Sequence, residues 1–153
     1  MNIVVNDIPV RVAVDKLAPH INKAMNALDA ASRITVLDAG LLELVRTRVS
    51  QINGCAFCVD MHSGDAVTGG DDPRRVFALP AWREAPFFTG RERAALELAE
   101  AMTRLSEAPV GDETLARAAE HFTEAELAEL IWTVTVINAW SRLGATARPW
   151  TLK

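Results

Sequence analysis

Asp38-Ala39-Gly40-Leu41-Leu42-Glu43-Leu44-Val45-Arg46-Thr47-Arg48-Val49-Ser50-Gln51-Ile52-Asn53-Gly54-Cys55-Ala56-Phe57-Cys58-Val59-Asp60-Met61-His62 is the stretch on which the reading of this chain turns. Leu42, Val45, Val49 and Ile52 recur at three- and four-residue intervals, which is one apolar side of a helix. Asp38 is placed to cap its start, and Asn53-Gly54 to end it. This helical pattern runs straight into the CxxC pair, Cys55 and Cys58. A thioredoxin-type site needs a strand just before the cysteines and a βαβ context. The CxxC therefore sits in an all-α setting.

Working outward, the same signals continue. Downstream, the CxxC helix runs to Gly69-Gly70, and Asp72-Pro73 reopens a helix to about Leu79 with proline at its first position. Pro80 and Pro86 bracket a short, interrupted piece containing Trp82. Thr89-Gly90-Arg91-Glu92 and Thr123-Glu124-Ala125-Glu126 are capping boxes. The first opens a helix to about Ser106, and a short helix after Asp112 ends near His121. The last helix runs to about Leu143, stopped by Gly144. Its middle, Leu130 to Ile137, is rich in strand-forming residues. The cap in front and its length favour helix, and no segment elsewhere alternates so as to pair with it.

Upstream, residues 15–32 carry the stripe Ile21, Met25, Leu28 and Ala31. Asn2 to Val14, with many β-branched residues and Pro9, reads as an extended arm. The expectation is an all-α, single-domain bundle of six or seven helices over 15–153, preceded by an arm at 1–14. The last helix is apolar around much of its circumference (Trp132, Val134, Val136, Ile137, Trp140). It needs burial on more than one side, which a small subunit achieves by association. A homo-oligomer is expected.

Composition narrows the function classes. Of 153 residues half are hydrophobic, so a real core is available, and the length suits one domain. A net charge of −4 argues against nucleic acid or an anionic membrane surface as partner. No stretch of about 18 apolar residues offers a membrane span. The first residues lack the basic, then apolar, pattern of a signal peptide. The expected place is the cytoplasm, where a CxxC stays reducible.

The chemistry gathers on one face. On a helix, Cys55, Cys58 and His62 fall at i, i+3 and i+7, within about 60° of one another. Cys55 and Cys58 are the chain's two cysteines. A disulfide across so short a gap stabilises a fold little, so the pair reads as chemical. Three readings stand side by side: a redox dithiol, a zinc site with three protein ligands and an open position, and buried inert cysteines beside a coincidental histidine. A reactive cysteine must form a thiolate. Cys55 lies nearest the helix N-terminus, which favours an anion. Cys58 lies one turn before His62, where an imidazole can act as base. The histidine tips the balance to Cys58 as attacker and Cys55 as resolver. Glu43 shares a wheel position with Thr47 and Ser50, off the apolar stripe, and the pattern leaves it between a solvated acid and a site residue.

Elsewhere, His20 and His121 read as surface or helix-end residues. Trp82, Trp132, Trp140 and Trp150 read as core or subunit-interface residues. Met61 reads as core packing, or else as a wall of a substrate channel. Gly69-Gly70 lacks the strand and lysine of a phosphate loop, and no flavin or nicotinamide motif appears, so no cofactor is expected.

The stretch from Glu43 to His62 closely resembles the signature of the AhpD-like alkylhydroperoxidases of the carboxymuconolactone decarboxylase superfamily. The resemblance continues through Ala81 to Phe87, Glu92 to Leu96 and Ile137 to Leu143. It implies an all-helical subunit assembled as a trimer or hexamer. It also implies a relay in which Glu43 orients His62, His62 helps deprotonate Cys58, Cys58 cleaves a peroxide O–O bond, and Cys55 closes a disulfide. An external dithiol, a dihydrolipoyl or thioredoxin-like protein, then resets the pair. The best-known branch carries a second histidine where this chain has Phe57. The decarboxylase branch lacks the CxxC pair.

Overall fold

Eight helices and one 3-10 turn make up the computed structural model, which describes residues 8–152. They are α1 (Val14–Leu17), α2 (Pro19–Ser32), α3 (Ala39–Asn53), α4 (Ala56–Thr68), α5 (Pro73–Ala78), the turn Leu79–Ala81, α6 (Gly90–Thr103), α7 (Asp112–Ala119) and α8 (Glu124–Ala147). The architecture is all-α, with no strand among the described residues. Residues 1–7 of the expected arm lie outside the described residues. No helix among them is long and apolar enough to cross a membrane.

The caps read from sequence close as expected. Asp38 accepts from the Leu41 N–H, and Asp72 from the Arg74 N–H. Thr89 with Glu92 and Thr123 with Glu126 complete both capping boxes, each threonine cap stabilising its helix by about 1 kcal/mol.

The boundaries differ from expectation most in two places, besides Val14 opening α1 and α6 ending at Thr103 rather than Ser106. The helix expected over 15–32 is two helices, which raises the count from seven to eight. Proline disfavours helical geometry in the residue before it, and Ala18, ahead of Pro19, takes φ −129° and ψ 60°. The last helix does not stop at Gly144 but continues to Ala147, where Arg148 turns left-handed at φ 44°.

α3 is the central helix because it is apolar on two sides. Val45 and Val49 pack with Leu98 and Ala99 of α6 and Leu130, Val134 and Ile137 of α8. Leu44 faces a second cluster with Leu79, Trp82, Phe88 and Leu96. Each fully buried aliphatic side chain here stabilises the fold by roughly 1.5–3 kcal/mol. Glu100 of α6 ties the second cluster down, accepting from Arg48 Nε at 2.8 Å, Arg83 Nη1 at 2.6 Å and Trp82 Nε1 at 2.9 Å.

α2 is the exception. Its expected stripe is helical, but none of its residues is buried. Ile21 and Leu28 are exposed, as are Ile34 and Val36 beyond it and Trp132 of α8, at 58%.

Candidate active site

α3 ends because Gly54 takes the left-handed conformation, φ 69°, that a side chain disfavours. The chain reverses there, so α4 folds back along α3. This hairpin brings His62 beside Glu43, nineteen residues earlier: His62 Nδ1 lies 2.7 Å from Glu43 Oε2.

The Glu43 face of α3 is polar in sequence yet buried. Thr47 and Ser50 are fully enclosed, and each hydroxyl donates to the carbonyl four residues back, Glu43 O and Arg46 O, both at 2.7 Å. The helix satisfies its own hydroxyls, so the face can pack against α4 without stranded polar groups. Glu43 is thus no solvated acid. Arg46, itself buried, donates to its other oxygen at 2.5 Å. Burial pushes the Glu43 carboxyl up, but the His62 hydrogen bond and the Arg46 guanidinium outweigh it and hold the group below the ordinary carboxylate value. An ionised Glu43 accepts from Nδ1–H and leaves Nε2 as the basic nitrogen of His62.

Cys55 is the N-cap of α4, and its Sγ accepts from the Cys58 N–H at 3.3 Å. Cys55 and Cys58 are joined by a disulfide, with Cα atoms 5.3 Å apart. They are 1% and 2% exposed, and His62 is 2%. The two sulfurs are not equivalent. Cys58, with His62, lines an open cavity of about 290 Å³, and Cys55 does not. Cys55 lies instead against Gly144 of α8, where a Cβ would come within 2.6 Å of its sulfur. A buried amide fixes the approach to this corner: Asn138 accepts from Asn53 Nδ2 at 3.0 Å and donates to Thr103 Oγ1 at 3.1 Å.

All four expected site residues therefore meet on the paired faces of α3 and α4. The zinc set Cys55, Cys58 and His62 is not assembled, because the sulfurs are bonded to each other. The metal-compatible cluster found among the described residues is Glu43, His62 and Asp65, and its Glu43 is already held by Arg46.

Gly144, Arg46 and two tryptophans were not legible as site residues. Trp140 and Trp150 wall the cavity rather than sit in the deep core, as does Met61. The Trp150 ring lies tilted against Phe57 at 5.1 Å and edge-on to Trp140 at 5.7 Å between ring centres. Phe57 thus supplies an aromatic wall, and α1 and α2 form the polar side opposite.

Comparison with known proteins bears on this arrangement. The carboxymuconolactone decarboxylase family model matches residues 19–101. The uncharacterised protein YdfG of Bacillus subtilis (strain 168) is 38% identical over 133 residues, 87% of this chain and 90% of that protein. A crystal structure from Agrobacterium tumefaciens, described as a protein of unknown function and a candidate antioxidant defence protein AhpD, matches with a TM-score of 0.90 at 30% identity. It covers 95% of this chain and 99% of that one. The debrominase Bmp8 matches with a TM-score of 0.78 at 20% identity, over 90% of this chain and 74% of its own, a likeness of fold alone.

Proposed function

The chain belongs to the carboxymuconolactone decarboxylase family and has the AhpD-like fold, and from that premise we propose that it is a thiol-dependent peroxidase cycling through Cys55 and Cys58. The observation that carries this reading is the asymmetry of the pair. Cys58 lines the cavity with His62, whose other nitrogen is held by Glu43, whereas Cys55 sits behind it.

In the reduced protein, His62 Nε2 takes the Cys58 thiol proton, directly or through water. The thiolate attacks the terminal peroxide oxygen. An S–O bond forms, the O–O bond breaks, and the alkoxide leaves as an alcohol with the proton from His62. Cys58 is then a sulfenic acid. The Cys55 thiolate, favoured at the N-terminus of α4, attacks the Cys58 sulfur. The S–S bond forms, the S–O bond breaks, and the oxygen departs as water with the proton that Cys55 released on ionising. A dihydrolipoyl or thioredoxin-like dithiol reduces the disulfide and is itself oxidised. One peroxide and one external dithiol are consumed per turn.

Assembly belongs to the same proposal. Trp132 lies with Leu28, Ala31 and Ile34 around an apolar groove of about 230 Å³, on the side where α2 buries nothing. Covering this face in a homo-oligomer, a trimer or hexamer, would meet the demand of α8 for burial on a further side.

The test is turnover with a peroxide and a dithiol protein. The wild type turns over, Cys58→Ser does not react, and Cys55→Ser reacts once and stops as a sulfenic acid. Disulfide formation without turnover by any dithiol would support a redox sensor instead. Rapid reaction of Cys58→Ser but not Cys55→Ser would reverse the two roles.

A further inference from the structure

The cavity over Cys58 has two unlike walls. One is aromatic, from Phe57, Trp140 and Trp150, and the other is polar, from Asp15, Asn22 and Asn26 of α1 and α2. At about 290 Å³ it is at the lower limit of ligand pockets, roughly 300–1,000 Å³, enough for one ring and a short chain.

The charged groups around it are nearly all engaged. Asp29 accepts from Arg33 Nε at 2.8 Å and Trp140 Nε1 at 3.2 Å. Glu43 accepts from Arg46 and His62. Asp15 differs: it lines the cavity half-buried, and its carboxylate takes part in no ion pair or side-chain hydrogen bond among the described residues. An acid placed in the first turn of α1 only to favour its N-terminus would keep its carboxylate in water. A half-buried carboxylate without a counter-ion leaves its charge uncompensated, and here it does so at a cavity wall. The field has the same sign. Of the carboxylates and guanidiniums lining the cavity, Asp29 and Arg33 pair with each other, which leaves the Asp15 carboxylate as the unbalanced charge there.

We propose that this cavity selects an aromatic hydroperoxide bearing a protonated amine, its ring against Phe57, Trp140 and Trp150 and its ammonium on Asp15. The ammonium supplies the donor that Asp15 lacks, and aromatic faces attract cations further. Peroxides that carry a carboxylate, such as fatty-acid hydroperoxides, meet the same acids as like charges and are rejected. This specificity rests on the peroxidase reading, but the binding that underlies it can be measured without any peroxide.

The experiment titrates the oxidised protein with 2-phenylethylammonium, 2-phenylethanol and 3-phenylpropanoate, by calorimetry and by quenching of tryptophan fluorescence. The expected order of affinity is ammonium, alcohol, carboxylate, with at least tenfold between first and last. Asp15→Asn, isosteric and neutral, should remove most of that difference while the variant unfolds at or above the wild-type temperature. Equal or tighter binding of the carboxylate, an ammonium preference that survives Asp15→Asn, or no binding of any probe at millimolar concentration would overturn the assignment. In parallel, the reduced protein is treated with hydrogen peroxide and cumene hydroperoxide. Failure of both to form the disulfide counts against the peroxidase reading, whatever the binding order proves to be.

Discussion

Gly144 and Cys55 touch so closely that a Cβ on residue 144 would stand 2.6 Å from the Cys55 sulfur, and 3.6 Å from that of Cys58. In an exposed helix interior, replacing glycine by alanine gains up to about 1 kcal/mol. Overpacking a filled core costs about 1–3 kcal/mol. Here the second effect wins, since the neighbours are a fixed disulfide and the Trp150 ring at 3.1 Å.

Gly144→Ala is therefore expected to lose more stability oxidised than reduced, because a reduced Cys55 can turn its sulfur away. Disulfide closure should slow at least tenfold, with Cys58 accumulating as a sulfenic acid that a dione reagent traps. Thermal unfolding with and without a reductant checks the first outcome, and mass spectrometry of trapped protein the second. Equal unfolding temperatures in both states would remove Gly144 from the resolving step.

His62→Ala should slow peroxide reduction by roughly 10²–10⁴-fold, the range of general-base assistance, without unfolding the chain. Glu43→Gln should fall between that variant and wild type, because it loses the charge but keeps the shape. The wild-type carboxyl titrates below its ordinary value of 4.5, so its support persists to more acidic pH than a free glutamate would allow. Stopped-flow thiol oxidation across pH measures both effects.

Trp132→Glu should lower the mass seen by light scattering at micromolar concentration, since it places a charge in the exposed groove with Leu28, Ala31 and Ile34. A wild-type protein that is already monomeric would contradict the proposed assembly.

Glu100 should contribute acid-sensitive stability. Burial raises its pKa, but Arg83, Trp82 and Arg48 together bring it below the ordinary 4.5. The folded state then binds fewer protons than the unfolded one, so this stability is complete above the ordinary glutamate range. It is lost as pH falls through that range toward the folded value. Glu100→Gln should cost on the order of 3 kcal/mol at neutral pH, the effect of unpairing a buried ion pair, and should flatten the acid limb. Denaturant unfolding at pH 7 and near pH 4 tests both.

By itself, the sequence marked every helix except the break at Pro19 and the end of α8, both capping boxes, and Cys55, Cys58 and His62 as candidate site residues. These depend on periodicity and caps, which are local. Glu43 had only family resemblance to lift it above a solvated acid. Its burial follows from Thr47 and Ser50 bonding to their own helix, which an apolar-stripe count does not register. Tertiary structure alone decided the rest. It set Gly144 against Cys55 and brought Trp150 onto Phe57 from more than ninety residues away. It left the α2 stripe unburied and set the Asp15 carboxylate at the cavity wall without a counter-ion. Each depends on where one helix lies against another, and that is settled by packing between segments far apart in the chain.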